Sequence, residues 1–209
     1  MIMPASLDLL LSIDRVAPMQ TAIVSQLRAL LPGVTVTPHP GKVDLSELVS
    51  RTVVQAPGLG IGWSRIREVM LADGAFCLSV EWVAYIVAEA RVVAQRRVEK
   101  EAVALAIGGR LLEILADQVA SLWNLTQVLP VADNPPAELK PLFTVKDASQ
   151  GVAYYTVTWT QVVADLGRDI FPDHVGAVDL ETGLVNYESA EALEAIAPWI
   201  PAREVPDDA

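Results

Sequence analysis

Apolar positions along the chain change period several times, and each change marks a new element. A short apolar arm, MIMPASLDLLLSID, opens the chain. Pro18 then stands where a first helical turn tolerates it, and Ala22, Ile23, Leu27, Leu30 and Leu31 follow at helical spacing. Pro32-Gly33 stops that helix, and Val34 to Val36 reads as a short strand. Asp44 is placed to cap a brief helix through Leu48 and Val49. Val53 to Gln55 and Leu59 to Trp63 read as extended, joined across Pro57-Gly58, and Ser64 to Ala72 has the make-up of a helix.

The clearest strand is Phe76 to Ala88. Phe76, Leu78, Val80, Trp82, Ala84 and Ile86 alternate with Cys77, Ser79, Glu81, Val83, Tyr85 and Val87. From Trp82 onward both faces are apolar, which predicts burial between this sheet and a neighbour, expected to be another copy of the chain. The longest helix is predicted from Arg97 to Trp123, with Val98, Ala102, Leu105, Ile107, Leu111, Ile114, Leu115, Val119 and Leu122 recurring along it. Gly108-Gly109 in its middle fits either close packing on a sheet or a local bend.

Residues 130 to 151 form a proline-rich segment expected to be a loop, a long one for a compact domain and so a candidate for partner contact. A second strong strand, Val152 to Val163, puts Tyr155, Val157, Trp159 and Val163 on one face. After Gly167 the sequence becomes turn-rich, with one short helix at Ser189 to Ala197. The expected organisation is an α+β domain over residues 1–167, a mixed or antiparallel sheet flanked by helices, and a C-terminal extension over 168–209.

Composition narrows what such a domain does. The chain is 52% hydrophobic with a mean hydropathy of +0.37, high for a chain that stays in water. A spanning helix needs about 20 nearly uncharged residues, yet Phe76 to Ala90 carries Glu81 and Glu89, and Ala102 to Trp123 carries Arg110, Glu113 and Asp117. The N-terminal arm lacks the basic residues of a secretory signal. The apolar excess therefore points to subunit interfaces. One cysteine, Cys77, excludes an internal disulfide. A net charge of −11 disfavours tight phosphate binding, but suits a channel through which DNA slides without sticking.

Candidate chemistry is sparse. Gly58, Gly60 and Gly62, with a strand before them and Glu81 about 20 residues on, outline a dinucleotide-binding turn. Trp63, however, stands where that turn needs its third glycine. A glycine-rich strand or hairpin at an interface is the plainer reading. His39 and His174 are far apart, and Cys77 has no partner at ligand spacing, so no metal or other cofactor is expected. Asp173-His174 resembles an oriented base, but no serine sits in a nucleophile elbow. No enzyme activity is expected. The candidate partner surface comprises Gly58, Gly60, Gly62, Trp63, Val83, Tyr85, Val87, Pro135, Pro136, Leu142 and Phe143.

Taken in order, LLPGVTVTPHPG, APGLGIGW, LSVEWVAYIVAEA, the helix ending SLWNL, PVADNPP and QGVAYYTVTWTQ resemble the tail-terminator (minor tail) family of Mu-like bacteriophages. Trp82, Tyr85, Val87 and Ala88 match that family's strand before the long helix, and Gly151, Val152, Ala153, Val157, Thr158 and Trp159 match its closing strand. The resemblance spans residues 15 to 166. It implies a hexameric ring of this chain at the head-proximal end of the virion tail, assembled in the host cytoplasm. Such a ring caps the tail tube protein, stops its polymerisation and offers a docking face to the head–tail connector. The tail sheath is a further candidate partner, and DNA passes through without tight binding. A neck or head-completion subunit is the alternative; a nucleotide-binding enzyme using Gly58 to Gly62 is the remote one.

Overall fold

The computed structural model describes residues 4–41, 54–72, 75–142, 151–164, 177–178 and 185–186, with side chains described except at 68–72, 75, 76 and the last two pairs. Contacts divide the chain into two units, Met1–Arg168 and Asp169–Ala209. In the second, Ala177–Val178 pairs antiparallel with Val185–Asn186. The helices expected at 44–49 and 189–197, and His174, lie outside the described residues.

The first unit is built on a five-stranded mixed sheet in the order β1-β2-β3-β7-β6. Its strands are β1 (Thr35–Pro38), β2 (Gly58–Ala72), β3 (Ala75–Glu89), β6 (Glu138–Pro141) and β7 (Val152–Val163). β1 runs parallel to β2, and the other pairs are antiparallel. The sequence-predicted α+β class holds.

One face of the sheet carries the main core. Cross-strand partners share a face, so Leu59 and Ile86, Ile61 and Ala84, and Trp63 and Trp82 point the same way, continued by Trp159 and Val157 on β7. Onto this face pack α2 (Val16–Leu30) and α3 (Lys100–Ala116). Asp14 caps α2, its carboxylate accepting from the Val16 and Ala17 amides at 2.9 and 3.3 Å. α2 buries Met19, Ile23, Val24 and Leu27, and the chain turns away at Gly33, where φ is +85°.

Gln161 fastens one end of the core. It is fully buried, and its Oε1 accepts from the indoles of Trp123 and Trp159 at 2.8 and 3.0 Å. Its Nε2 donates to the carbonyls of Ser121 and Leu129 at 2.8 and 3.1 Å. One amide thus ties β7 to the turn after α3 and to the segment beyond it.

Three sequence expectations need correction. Ser64 to Ala72 is strand, not helix: β2 continues through it, paired with β3 as far as Ala72 opposite Ala75. Cross-strand pairing overrides the local preference of SRIREVMLA for helix. The long helix is shorter than its periodicity suggests. Arg96–Val98 is strand β5, paired with β4 (Arg91–Val93), and α3 starts at Lys100 and ends at Ala116. There the Asp117 carboxylate accepts from the amides of Val119 and Ala120, both at 2.9 Å, and turns the chain into a 3-10 turn at Ala120–Leu122. These bonds hold the Asp117 carboxyl below its usual range. Lastly, residues 130–151 are not one loop, because Glu138–Pro141 pairs with β7 as the edge strand β6. Residues 143–150 lie outside the described residues.

The two readings of Gly108-Gly109 separate by residue. A Cβ on Gly108 would lie 2.7 Å from Leu139 Cδ1, so this glycine permits close packing of α3 against β6. At Gly109 a Cβ would meet nothing within 4 Å.

Candidate interaction surfaces

The sequence-selected residues fall into separate places. Gly58, Gly60 and Gly62 lie opposite Val87, Tyr85 and Val83, so these six share the second face of the sheet. Leu142 joins them, since it packs against the small cluster of Val54, Val83, Tyr85, Val87 and Val152. Trp63 points to the other face, opposite Trp82, and packs on the main core. Pro135 and Pro136 are exposed on the segment before β6. Phe143 lies outside the described residues.

Two of the glycines on the second face, Gly58 and Gly62, make room for the chain itself. A Cβ on Gly58 would come within 2.4 Å of both the Gln55 carbonyl oxygen and a Val54 methyl. One on Gly62 would sit 3.1 Å from the Gly41 carbonyl oxygen and 3.2 Å from that of His39. The backbone of His39, Gly41 and Gln55 and the side chain of Val54 therefore lie directly on β2 at Gly62 and Gly58. His39 is buried there, its ring edge-on to Tyr85 at 5.6 Å. Val83, Tyr85 and Val87 are 4%, 6% and 3% exposed in a single chain. The expected cover by a second copy is thus not required to bury this face.

The same stretch lacks the geometry of a dinucleotide turn. That turn delivers phosphate to the start of a helix, whereas here the backbone stays extended from Gly58 to Ala72. Glu81, the acid at suitable distance, is engaged elsewhere. A bulge between Trp63 and Arg65 sets both Ser64 and Arg65 against it. Ser64 Oγ donates to Glu81 at 2.5 Å, and Arg65 and Arg67 reach its other oxygen at 3.0 and 3.1 Å. Burial works against its ionisation, but the hydrogen bonds from Ser64, Arg67 and Arg65 outweigh that and hold its carboxyl below the usual range. Among the described residues no group of three His, Cys, Asp or Glu side chains could hold a metal ion. Nor is any described helix long and apolar enough to cross a membrane.

Among the described residues, seven of the eleven exposed large apolar side chains lie on or beside two elements, and sequence reasoning assigned neither to partner contact. The first is α1 (Leu7–Ser12), which buries none of its residues. Leu7 is 70% exposed, Leu11 67%, and Leu9, Leu10 and Ile13 are exposed as well. At 100° per residue these positions fall within about 200° of the helix surface and Asp8 and Ser12 share the rest, so the arm is amphipathic with its apolar face exposed. That signal was present in LDLLLSI. The second is the β4–β5 hairpin, RVVAQRRV, in which Val92 and Val93 are exposed beside Arg91, Arg96 and Arg97. Its turn residues Ala94 and Gln95 have φ of +49° and +62°, the left-handed pair that Asn-Gly normally supplies. Without those residues the turn left no mark in the sequence.

A groove of about 350 Å³ lies between the last turns of α3 and residues 130–137. Leu112, Leu115 and Val131 share its lining with Gln118, Ser121 and Asp133, and its surface is more polar than apolar. Ser121, also lining it, is fully buried, and its hydroxyl has no hydrogen-bond partner among the described residues.

The chain matches no protein-family model and no curated protein sequence.

Proposed function

We propose that this chain is a ring-forming structural subunit of the tail-terminator type. It caps the tail tube, halts tube polymerisation and presents a docking face to the head–tail connector. The observation that carries the reading is the α1 arm, whose leucines, with Ile13 just beyond them, form an apolar face left exposed to water. An isolated helix of this length is marginal in water, so it needs cover. A second element with exposed valines, the β4–β5 hairpin, and the open groove beside α3 give the chain several dissimilar surfaces. Head-to-tail contacts in a closed ring need dissimilar surfaces. The net charge of −11 suits a passage that DNA crosses without binding. The order of motifs that resembles the tail-terminator family supplies the specific role.

The test is tail length, measured by electron microscopy in particles assembled without this protein. Overlong, variable, headless tubes are expected. Tails of normal length that fail to join heads would move the protein to the neck. Normal infectious particles would overturn both structural roles.

A further inference from the structure

We infer that the basic β4–β5 hairpin of one copy docks, arginine first, in the groove between α3 and residues 130–137 of a second copy. The inference rests on the ring-forming reading above and names the surfaces that meet. Charge, side-chain chemistry and distance each point to this pairing.

Cross-strand partners share a face, so Arg91, Val93, Arg96 and Val98 lie on one side of the hairpin, with Val92 and Arg97 on the other. Arg97 is tied to Glu99 at 3.0 Å, whereas Arg91 and Arg96 have no ion-pair partner among the described residues. The first face is therefore cationic, with the exposed Val93 beside its two free arginines, on a chain whose net charge is −11. The groove has the opposite sign. Asp133 lines it and has no ion-pair partner among the described residues, and no described lysine or arginine lines it. α3 also ends there, and the carbonyls of Ile114, Leu115 and Ala116 accept no hydrogen bond from any described residue. A helix C-terminus with open carbonyls favours a cation.

The mixed lining of the groove suits an arginine better than a purely apolar side chain. An arginine brings an apolar stem, which Leu112, Leu115 and Val131 would cover, and a head with five donors. Asp133, the open carbonyls and the buried Ser121 hydroxyl, unpartnered among the described residues, are acceptors for those donors. The 350 Å³ of the groove is about twice the ~150 Å³ that one truncated leucine can leave, room for a long side chain and some water.

Distance makes the contact intermolecular. The hairpin ends at Val98, and α3 runs from Lys100 to the groove at Leu112–Ala116, about 20 Å further on at 1.5 Å per residue. Strands of three residues span only about 10 Å, so the hairpin does not reach the groove of its own chain. Each copy gives one surface and receives the other. That is a heterologous contact, which closes into a ring when its rotation divides the circle.

The experiment uses the full chain. Arg96 and Asp133 are both exposed, so Arg96→Glu, Asp133→Lys and the two combined should leave thermal unfolding unchanged. Self-association is followed by analytical ultracentrifugation. Each single reversal is expected to weaken it about 10-fold or more, and the double variant, with opposite charges restored, to recover most of that loss. Wild-type association should also weaken as salt rises. Position is read by disulfide trapping, since the native Cys77 is buried. On mild oxidation a mixture of Val93→Cys and Pro136→Cys chains is expected to give mixed dimers, and neither variant alone a dimer. Val93→Cys chains that cross-link only to one another would overturn the inference by pairing hairpin with hairpin. So would single reversals that associate as the wild type does, a double variant no better than the singles, or association indifferent to salt. A wild-type chain that is monomeric at every concentration also overturns it, yet leaves the cap reading intact, because tail length is a separate readout.

Discussion

Gln161 and Glu81 show how single polar residues hold this apolar molecule together. Gln161 saturates its amide with two indoles and two carbonyls, so replacing it strands both indoles and the Ser121 carbonyl in the core and leaves the part-buried Leu129 carbonyl without this donor. Gln161→Leu should destabilise the fold by about 3 kcal/mol or more, each stranded group costing about 1–3 kcal/mol less whatever relaxation recovers. Denaturant unfolding followed by tryptophan fluorescence measures it; a change under ~1 kcal/mol would show that the network is dispensable. Glu81 gives a pH signature. Its folded-state pKa is depressed below 4.5, so its stabilisation is fully present above that value and fades as pH falls through the folded pKa. Glu81→Gln should therefore be less stable than the wild type at pH 7, with the gap closing below pH 4.5. A gap constant with pH would mean that the ion pairs with Arg65 and Arg67 are not what the carboxylate contributes. Neither role was legible in the sequence. Gln161 sat unremarked in a strand, and Glu81 drew notice only for its distance from the glycines. Their partners lie 14 or more residues away, apart from Trp159, and only the fold brings them together.

At the scale of elements, α3 and the β4–β5 hairpin carry opposite lessons about backbone conformation. In α3, Gly109 has open space where a Cβ would go, so Gly109→Ala should gain about 1 kcal/mol of helix propensity and raise Tm by roughly 2–4 °C. Gly108→Ala should forfeit that gain, because its Cβ would force Leu139 aside from 2.7 Å. Differential scanning calorimetry on the pair decides the matter, and equal shifts would refute the packing argument. In the hairpin, Ala94→Asn/Gln95→Gly fits the positive φ values better and should slow hydrogen exchange at residues 91–98 several-fold without shifting global Tm. Unchanged exchange would mean that the turn is not what limits the hairpin. Helix periodicity placed α2 and the middle of α3 correctly. It overran α3 because Val119 and Leu122 keep the spacing, whereas Val119 is 80% exposed and Asp117 has already diverted the backbone.

The whole molecule combines an apolar composition with an acidic balance, and the two act at different distances. The charge of −11 repels polyanions over a Debye length of about 8 Å at physiological salt, while apolar surface acts only on contact. The chain should therefore fail to retard duplex DNA at about 0.15 M salt in a gel-shift assay. Retardation there would show that the arginines of the hairpin outweigh the global charge. The sequence by itself determined the α+β class, the strands read at 76–88 and 152–163 and the helix read from Pro18 to Leu31, each within two residues of its observed bounds, because period-2 and period-3.6 burial is written in local spacing. Only the tertiary structure decided that 64–72 is strand, that Glu138–Pro141 completes the sheet edge and that Gly58 and Gly62 are bare to admit Val54, Gln55 and the backbone of His39 and Gly41. It also decided which apolar residues remain in water: Tyr85 and Leu11 look alike in composition, but one is 6% exposed and the other 67%. The physical reason is that burial and strand pairing are set by neighbours distant in the chain, and local spacing does not encode who those neighbours are.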